Sequence, residues 1–178
     1  MARSRAAAKK PPRTKAKKTV TARRKKAGRR VELRVAVRAR REVVWDAVAT
    51  SRGLVSWYAR DAEIDPVVGG AYRCAWGDAA QVGLVLEVER GRRIDLGWHH
   101  GTRVTIRLAR RHGGRETVVT LGHAGISAAV GNVELYAQLR QSWTFSLVNL
   151  KSVLERGVDL RERDRRRTFA RAWVNCWD

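Results

Sequence analysis

The chain has 178 residues, a net charge of +21, seven Trp, four His and two Cys. That length fits one domain with extensions and permits a sizeable core. The two cysteines, Cys74 and Cys176, lie far apart, which excludes a disulfide framework and points to a reducing cytoplasm; no apolar run reaches the ~20 residues that cross a bilayer, and the basic N-terminus lacks the apolar segment of a secretory signal.

Residues 1–30 hold fourteen Lys and Arg and no acidic residue, whereas the rest of the chain holds 24 basic and 17 acidic side chains. Such asymmetry marks a polyanion-binding tail. Val20 is the only large apolar residue in the segment besides Met1, so it cannot offset the entropy of ordering and is expected to be disordered. Its cations are Lys9, Lys10, Lys15, Lys17, Lys18, Arg23, Arg24, Lys25, Lys26, Arg29 and Arg30, with Arg3, Arg5 and Arg13 ahead of them or among them. Each one that reaches a phosphate of DNA, RNA or another polyanion releases a counterion, which makes binding sequence-independent and salt-sensitive. The composition resembles the Lys/Ala/Pro tails of linker-histone-like bacterial proteins. A tail that only aids solubility, or a start codon placed too far upstream, accounts for it equally. With DNA as partner, the cytoplasmic location becomes nucleoid-associated.

The body follows. VELRVAVRA (31–39) alternates, with Leu33, Val35 and Val37 on one face, and predicts a half-buried strand. REVVWDAVA (41–49) carries Val44, Trp45 and Val48 at helical spacing. SRGLVSWY reads as a second short helix anchored by Leu54 and Trp57. Strands are then expected at 59–65, 71–76, 81–89, 93–98, 102–110 and 116–123, separated by turns at Pro66 and Gly69-Gly70, Gly77-Asp78, Gly91 and His112-Gly113-Gly114. Strict alternation turns Tyr72, Cys74 and Trp76 inward in the second of these. It turns Val82, Leu84, Leu86 and Val88 inward in the third, and Ile94, Leu96 and Trp98 in the fourth. Val104, Ile106 and Leu108 then face inward, followed by Val119, Leu121 and His123. Residues 129–156 form one long helix with Trp143, Leu147, Leu150 and Leu154 as its apolar stripe and Gly157 as its C-cap.

An antiparallel sheet with one apolar face needs a cover, and the long helix supplies it. The expected fold class is therefore α+β. A sheet of about six or seven antiparallel strands packs on a C-terminal helix, with two short helices after the first strand. Three segments result: a disordered basic tail (1–30), the domain (31–160) and an Arg/aromatic extension (161–178).

Read in this order, the residues resemble the activator-of-heat-shock-protein-90-ATPase (AHSA-type) family of the START-like, or SRPBCC, helix-grip superfamily. The matching pieces are Val44-Trp45-Asp46-Ala47-Val48, Leu54 with Trp57, and Gly69-Gly70-Ala71-Tyr72. They continue with Gly83-Leu84-Val85-Leu86-Glu87-Val88, Thr117-Val118-Val119-Thr120-Leu121 with His123 and Gly125, and Trp143, Leu147, Leu150, Lys151, Leu154 and Glu155. The basic tail and the C-terminal extension are not part of the family pattern. The resemblance implies a curved sheet gripping the last helix, with a cavity between them that takes a hydrophobic small molecule. No Hsp90-contact motif is present, so co-chaperone activity is not carried over.

The expected cavity residues are Trp57, Tyr72, Trp76, Trp98, Ile106, His123, Trp143 and Leu147. Rings and a few polar groups of this kind suit a small-ligand site, though each ring taken alone equally fills a core. His99, His100 and His112 fall in turns, leaving His123 as the one inward candidate base, with no carboxylate placed to orient it. No catalytic residue is therefore nominated. No metal or other cofactor is expected either, since the His and Cys lack ligand spacing and Gly69-Gly70 lacks a dinucleotide-binding context. Cys74, inward, should behave as an inert small hydrophobe.

In the extension, Phe169, Trp173 and Trp177 recur every four residues beside Arg165, Arg166, Arg167 and Arg171. This stripe can pack on its own domain, meet a partner or stay disordered. The leading expectation is a non-enzymatic ligand-binding domain with a polyanion-binding tail. The alternatives are a polyketide cyclase- or hydrolase-like enzyme in the same cavity, and a co-chaperone or partner-regulating protein; fold alone does not choose among them.

Overall fold

The structure is a computed structural model that describes residues 28–127 and 132–162. Within them, strand β1 (Arg29–Val37) leads into helices α1 (Arg41–Ala49) and α2 (Ser51–Trp57). Six strands follow as a meander: β2 (Asp61–Ile64), β3 (Ala71–Trp76), β4 (Ala79–Glu89), β5 (Arg93–Gly97), β6 (Arg103–Arg111) and β7 (Glu116–Ile126). Helix α3 (Asn132–Arg156) closes the order. The sheet runs β1-β7-β6-β5-β4-β3-β2 with every pair antiparallel, so the first strand pairs with the last. This is the helix-grip arrangement expected from the sequence.

The side-chain period of two builds the core. Val37, Val119, Leu121, Val104, Ile106, Leu108, Ile94, Leu96, Tyr72 and Cys74 all point to one face and are buried. Trp143, Leu147 and Leu150 of α3 cover that face. Each such burial contributes about 1.5–3 kcal/mol of transfer free energy.

β4 departs from expectation. Val82, Leu84 and Leu86 are exposed on the outer face, while Gln81 and Val85 are buried. The pairing of β4 with β5 shifts between Val85 and Glu87. A bulge adds one residue to one strand and reverses the phase beyond it, so Val88 returns to the core side. Strict alternation across this strand reads the wrong face for three of its four apolar residues.

The start of the domain also differs. Arg29 and Arg30 belong to β1 rather than to a free tail. Arg29 stacks its guanidinium over Tyr136 of α3 at 5.8 Å, and Arg30 pairs with Glu32 at 2.7 Å. The remaining cations assigned to the tail lie outside the described residues.

Local contacts fix the helices. Thr50 Oγ1 accepts from Gly53 N–H at 3.0 Å, capping α2. A side chain on Gly53 would collide with the backbone of Asp46 and Ala47, so only Gly lets α1 and α2 approach this closely. Glu155 ties α3 to the end of β1, accepting from Lys151 Nζ at 2.6 Å and from Arg38 N–H at 2.7 Å. The Lys151 bond leads the effects that draw its carboxyl down to about 2. Gly157, at φ 69°, ends α3, as the sequence predicts.

Beyond it the chain folds back. Asn149 donates to Trp57 O at 2.7 Å and accepts from Leu160 N–H at 2.7 Å. Arg161 reaches Ala59 O and Val55 O, each at 2.8 Å, and pairs with Asp159 at 2.8 Å. The domain thus extends through Arg161. The aromatic stripe at Phe169, Trp173 and Trp177 lies outside the described residues.

Candidate functional site

A cavity of about 550 Å³ lies between the inner face of the sheet and α3. Four aromatic side chains form much of its wall. Trp76 ends β3, Trp98 follows β5, Tyr58 follows α2, and Trp143 projects from α3. They brace one another: Tyr58 stacks on Trp143 with centroids 5.4 Å apart, meets Trp76 edge-on at 5.0 Å, and Trp98 leans on Trp143 at 5.5 Å. Trp76 also donates its indole N–H to Tyr58 O at 2.8 Å. Rings locked in this way present fixed flat faces.

A polar chain runs through the back of the cavity. Trp143 Nε1–H donates to His123 Nδ1 at 3.1 Å. An indole nitrogen only donates, so Nδ1 must be the unprotonated nitrogen and Nε2 carries the hydrogen. Nε2–H then donates to Thr102 Oγ1 at 2.9 Å, and Thr102 donates onward to His99 O at 2.8 Å. Every member is satisfied and the tautomer follows from the chain. Burial lowers the His123 pKa to about 4, so the imidazole is neutral at physiological pH. Its one basic lone pair already accepts from Trp143, which leaves no free site to take a proton from a substrate.

Tyr72 stands behind this wall. It donates its hydroxyl to Gly97 O at 2.5 Å and accepts from Gln81 Nε2 at 3.1 Å. Burial raises its pKa well above the usual tyrosine value. Its ring crosses Gly83, where any Cβ would meet Gly97 O and come within 2.8 Å of the ring; this is the physical reason for Gly at that position. Cys74 is buried and its thiol is pushed up to about 12 by desolvation, as befits an inert hydrophobe.

Of the residues expected to line a cavity, Trp76, Trp98, His123 and Trp143 do so. Trp57, Ile106 and Leu147 are instead packed in the core, with Trp57 Nε1–H bonded to Ala47 O at 2.9 Å. Tyr72 is likewise in the core and touches the site through Gln81. The residues that sequence reasoning missed are Tyr58, Gln81, Thr102, Leu139 and Ser142. Gln81 was hidden by the bulge, which reverses the phase of its strand. Ser142 and Leu139 follow from the Trp143 stripe by helical periodicity. Thr102 carries no signal in the sequence.

The charged residues of the sheet lie on its outer face. Asp95 is fully buried there, gripped by Arg93 through Nε and Nη2, each at 2.8 Å, with Arg103 at 3.4 Å. Among the described residues, no group of three His, Cys, Asp or Glu is placed to hold a metal ion. No helix among them is long and apolar enough to cross a membrane.

The model of the family described as "Activator of Hsp90 ATPase homolog 1-like protein" matches residues 38–155, more than half of the chain. The chain belongs to this family. Solved structures agree on the fold of this AHSA-type chain. A Staphylococcus saprophyticus protein superposes with a TM-score of 0.66 at 21% identity, covering 75% of this chain and 96% of its own. The solution structure of the Aha1 dimer from Colwellia psychrerythraea gives 0.64 at 20% identity, covering 72% and 98%. CalU16 from Micromonospora echinospora gives 0.61 at 24% identity, covering 74% and 76%. A search of the curated proteins finds no match.

Proposed function

We propose that this AHSA-type domain binds an apolar small molecule between its sheet and α3, and that it does so without catalysing a reaction. The observation that carries this reading is the cavity of about 550 Å³, walled by aromatic rings and lined by no Asp, Glu, Lys or Arg among the described residues. Its volume is that of a small-ligand site. Native mass spectrometry of protein purified from its source tests the reading directly: a co-purified small molecule is expected. Failing that, titration with apolar aromatic probes should change the fluorescence of Trp76, Trp98 and Trp143; no change with any probe refutes it.

The enzyme alternative loses its nominated base, because the His123 lone pair is engaged by Trp143. The partner-regulating alternative rested on the 161–178 extension, most of which lies outside the described residues.

The basic tail adds a second, separable activity: sequence-independent binding of DNA, RNA or another polyanion by counterion release. The charge of residues 1–27 supports it. Deleting those residues should abolish retention on DNA at low salt and leave the thermal melting point unchanged. The cut belongs before Arg29, since Arg29 and Arg30 are part of β1. DNA binding that survives the deletion overturns this part.

A further inference from the structure

Gln81 is 1% exposed and lies on the cavity wall. Its amide can be oriented by chemistry alone. The single Tyr72 hydroxyl proton goes to Gly97 O, so the Tyr72 oxygen can only accept from Gln81. The second amide hydrogen goes to Val82 O at 2.8 Å. Turning the amide over would set its oxygen against two acceptors. Nε2 is therefore the atom facing Tyr72 and Val82, with both of its hydrogens used. Oε1 is left buried with no hydrogen-bond partner.

A buried acceptor left without a donor is unfavourable, and native folds rarely keep one without a reason. The other polar groups at the back of the cavity differ. His123 and Thr102 are satisfied by Trp143 and by one another, so neither asks anything of a ligand. One acceptor is thus unmatched in a wall otherwise built from rings and satisfied polar groups.

We propose that Gln81 Oε1 is the polar anchor of the cavity, and that its ligand is a flat, uncharged ring compound that presents a hydroxyl or N–H donor to it. This inference rests on the ligand-binding reading and adds the chemical class. The aromatic faces of Trp98 and Trp143 select flatness. The lack of charged lining among the described residues selects a neutral molecule. The unmatched acceptor selects a donor.

Two isosteric probes test it: 2-naphthol, which carries a donor, and 2-methylnaphthalene, which does not. Binding of both to the full chain and to Gln81→Leu is measured by tryptophan fluorescence. The ratio of the two dissociation constants in each protein cancels the difference in hydrophobicity between the probes. The expected result is a ratio that shifts about tenfold against 2-naphthol in the variant. An unchanged ratio, with both probes bound, overturns the inference and leaves the ligand-binding reading intact. Failure of wild-type protein to bind either probe refutes the ligand-binding reading itself, and the inference with it. Should Gln81→Leu not fold, the wild-type Gln81 side-chain 15Nε2 resonance decides. It should move with 2-naphthol beyond its shift with 2-methylnaphthalene, and equal shifts overturn the assignment.

Discussion

An imidazole that accepts from Trp143 and donates to Thr102 resists protonation twice over. Desolvation disfavours the cation, and a proton on Nδ1 would face the indole N–H. The consequence for stability has a definite sign. The unfolded chain takes up a proton at His123 near pH 6.5, the folded chain only near 4. Above 6.5 both states are neutral and the contribution is complete. As pH falls toward 4 the unfolded state gains a proton that the folded state does not, and stability is lost. Allowing for partial solvent screening, the loss is about 2 kcal/mol. Urea unfolding at pH 7, 5.5 and 4.5 should show it, and His123→Gln should flatten that part of the profile. A wild-type profile identical to the variant's contradicts the neutral, buried assignment.

At the scale of the element, β4 shows how much one extra residue changes. Its apolar residues read as a clean inward stripe, yet Val82, Leu84 and Leu86 are exposed and Val85 is the buried one. Leu84→Lys should accordingly change stability by no more than about 0.5 kcal/mol, while Val85→Ala should cost about 2 kcal/mol through lost burial and a cavity. Thermal or chemical melts of the two variants check the phase; the opposite order places the bulge elsewhere. Where strands lack a bulge, alternation reads correctly. Thr102–Arg110 and Glu116–His123 each show their inward set from the sequence alone, and β6 and β7 bury Val104, Ile106, Leu108, Val119 and Leu121. The helices were legible for a similar reason: α3 is long enough for its Trp143, Leu147 and Leu150 stripe to recur.

Across the whole molecule, the domain is closed by contacts between its ends. β1 pairs with β7, and the segment after α3 is held to α2 through Asn149 and Arg161. Asn149 is fully buried, so Asn149→Ala leaves Trp57 O and Leu160 N–H unpaired and should cost about 2 kcal/mol. A melting point unchanged in that variant would show that the clasp does not hold the fold. Composition, charge asymmetry and periodicity by themselves determined the chain's division into basic tail and domain, the strand–helix order and the family, because these depend on local pattern. Only the tertiary structure decided which rings line the cavity and which fill the core. It alone decided that β1 begins at Arg29, that His123 has no free lone pair, and that Gln81 faces inward with an unmatched acceptor. Each of those depends on a bulge, a cross-strand partner or a hydrogen bond between residues distant in sequence, and a period of two or of 3.6 carries no record of such partners.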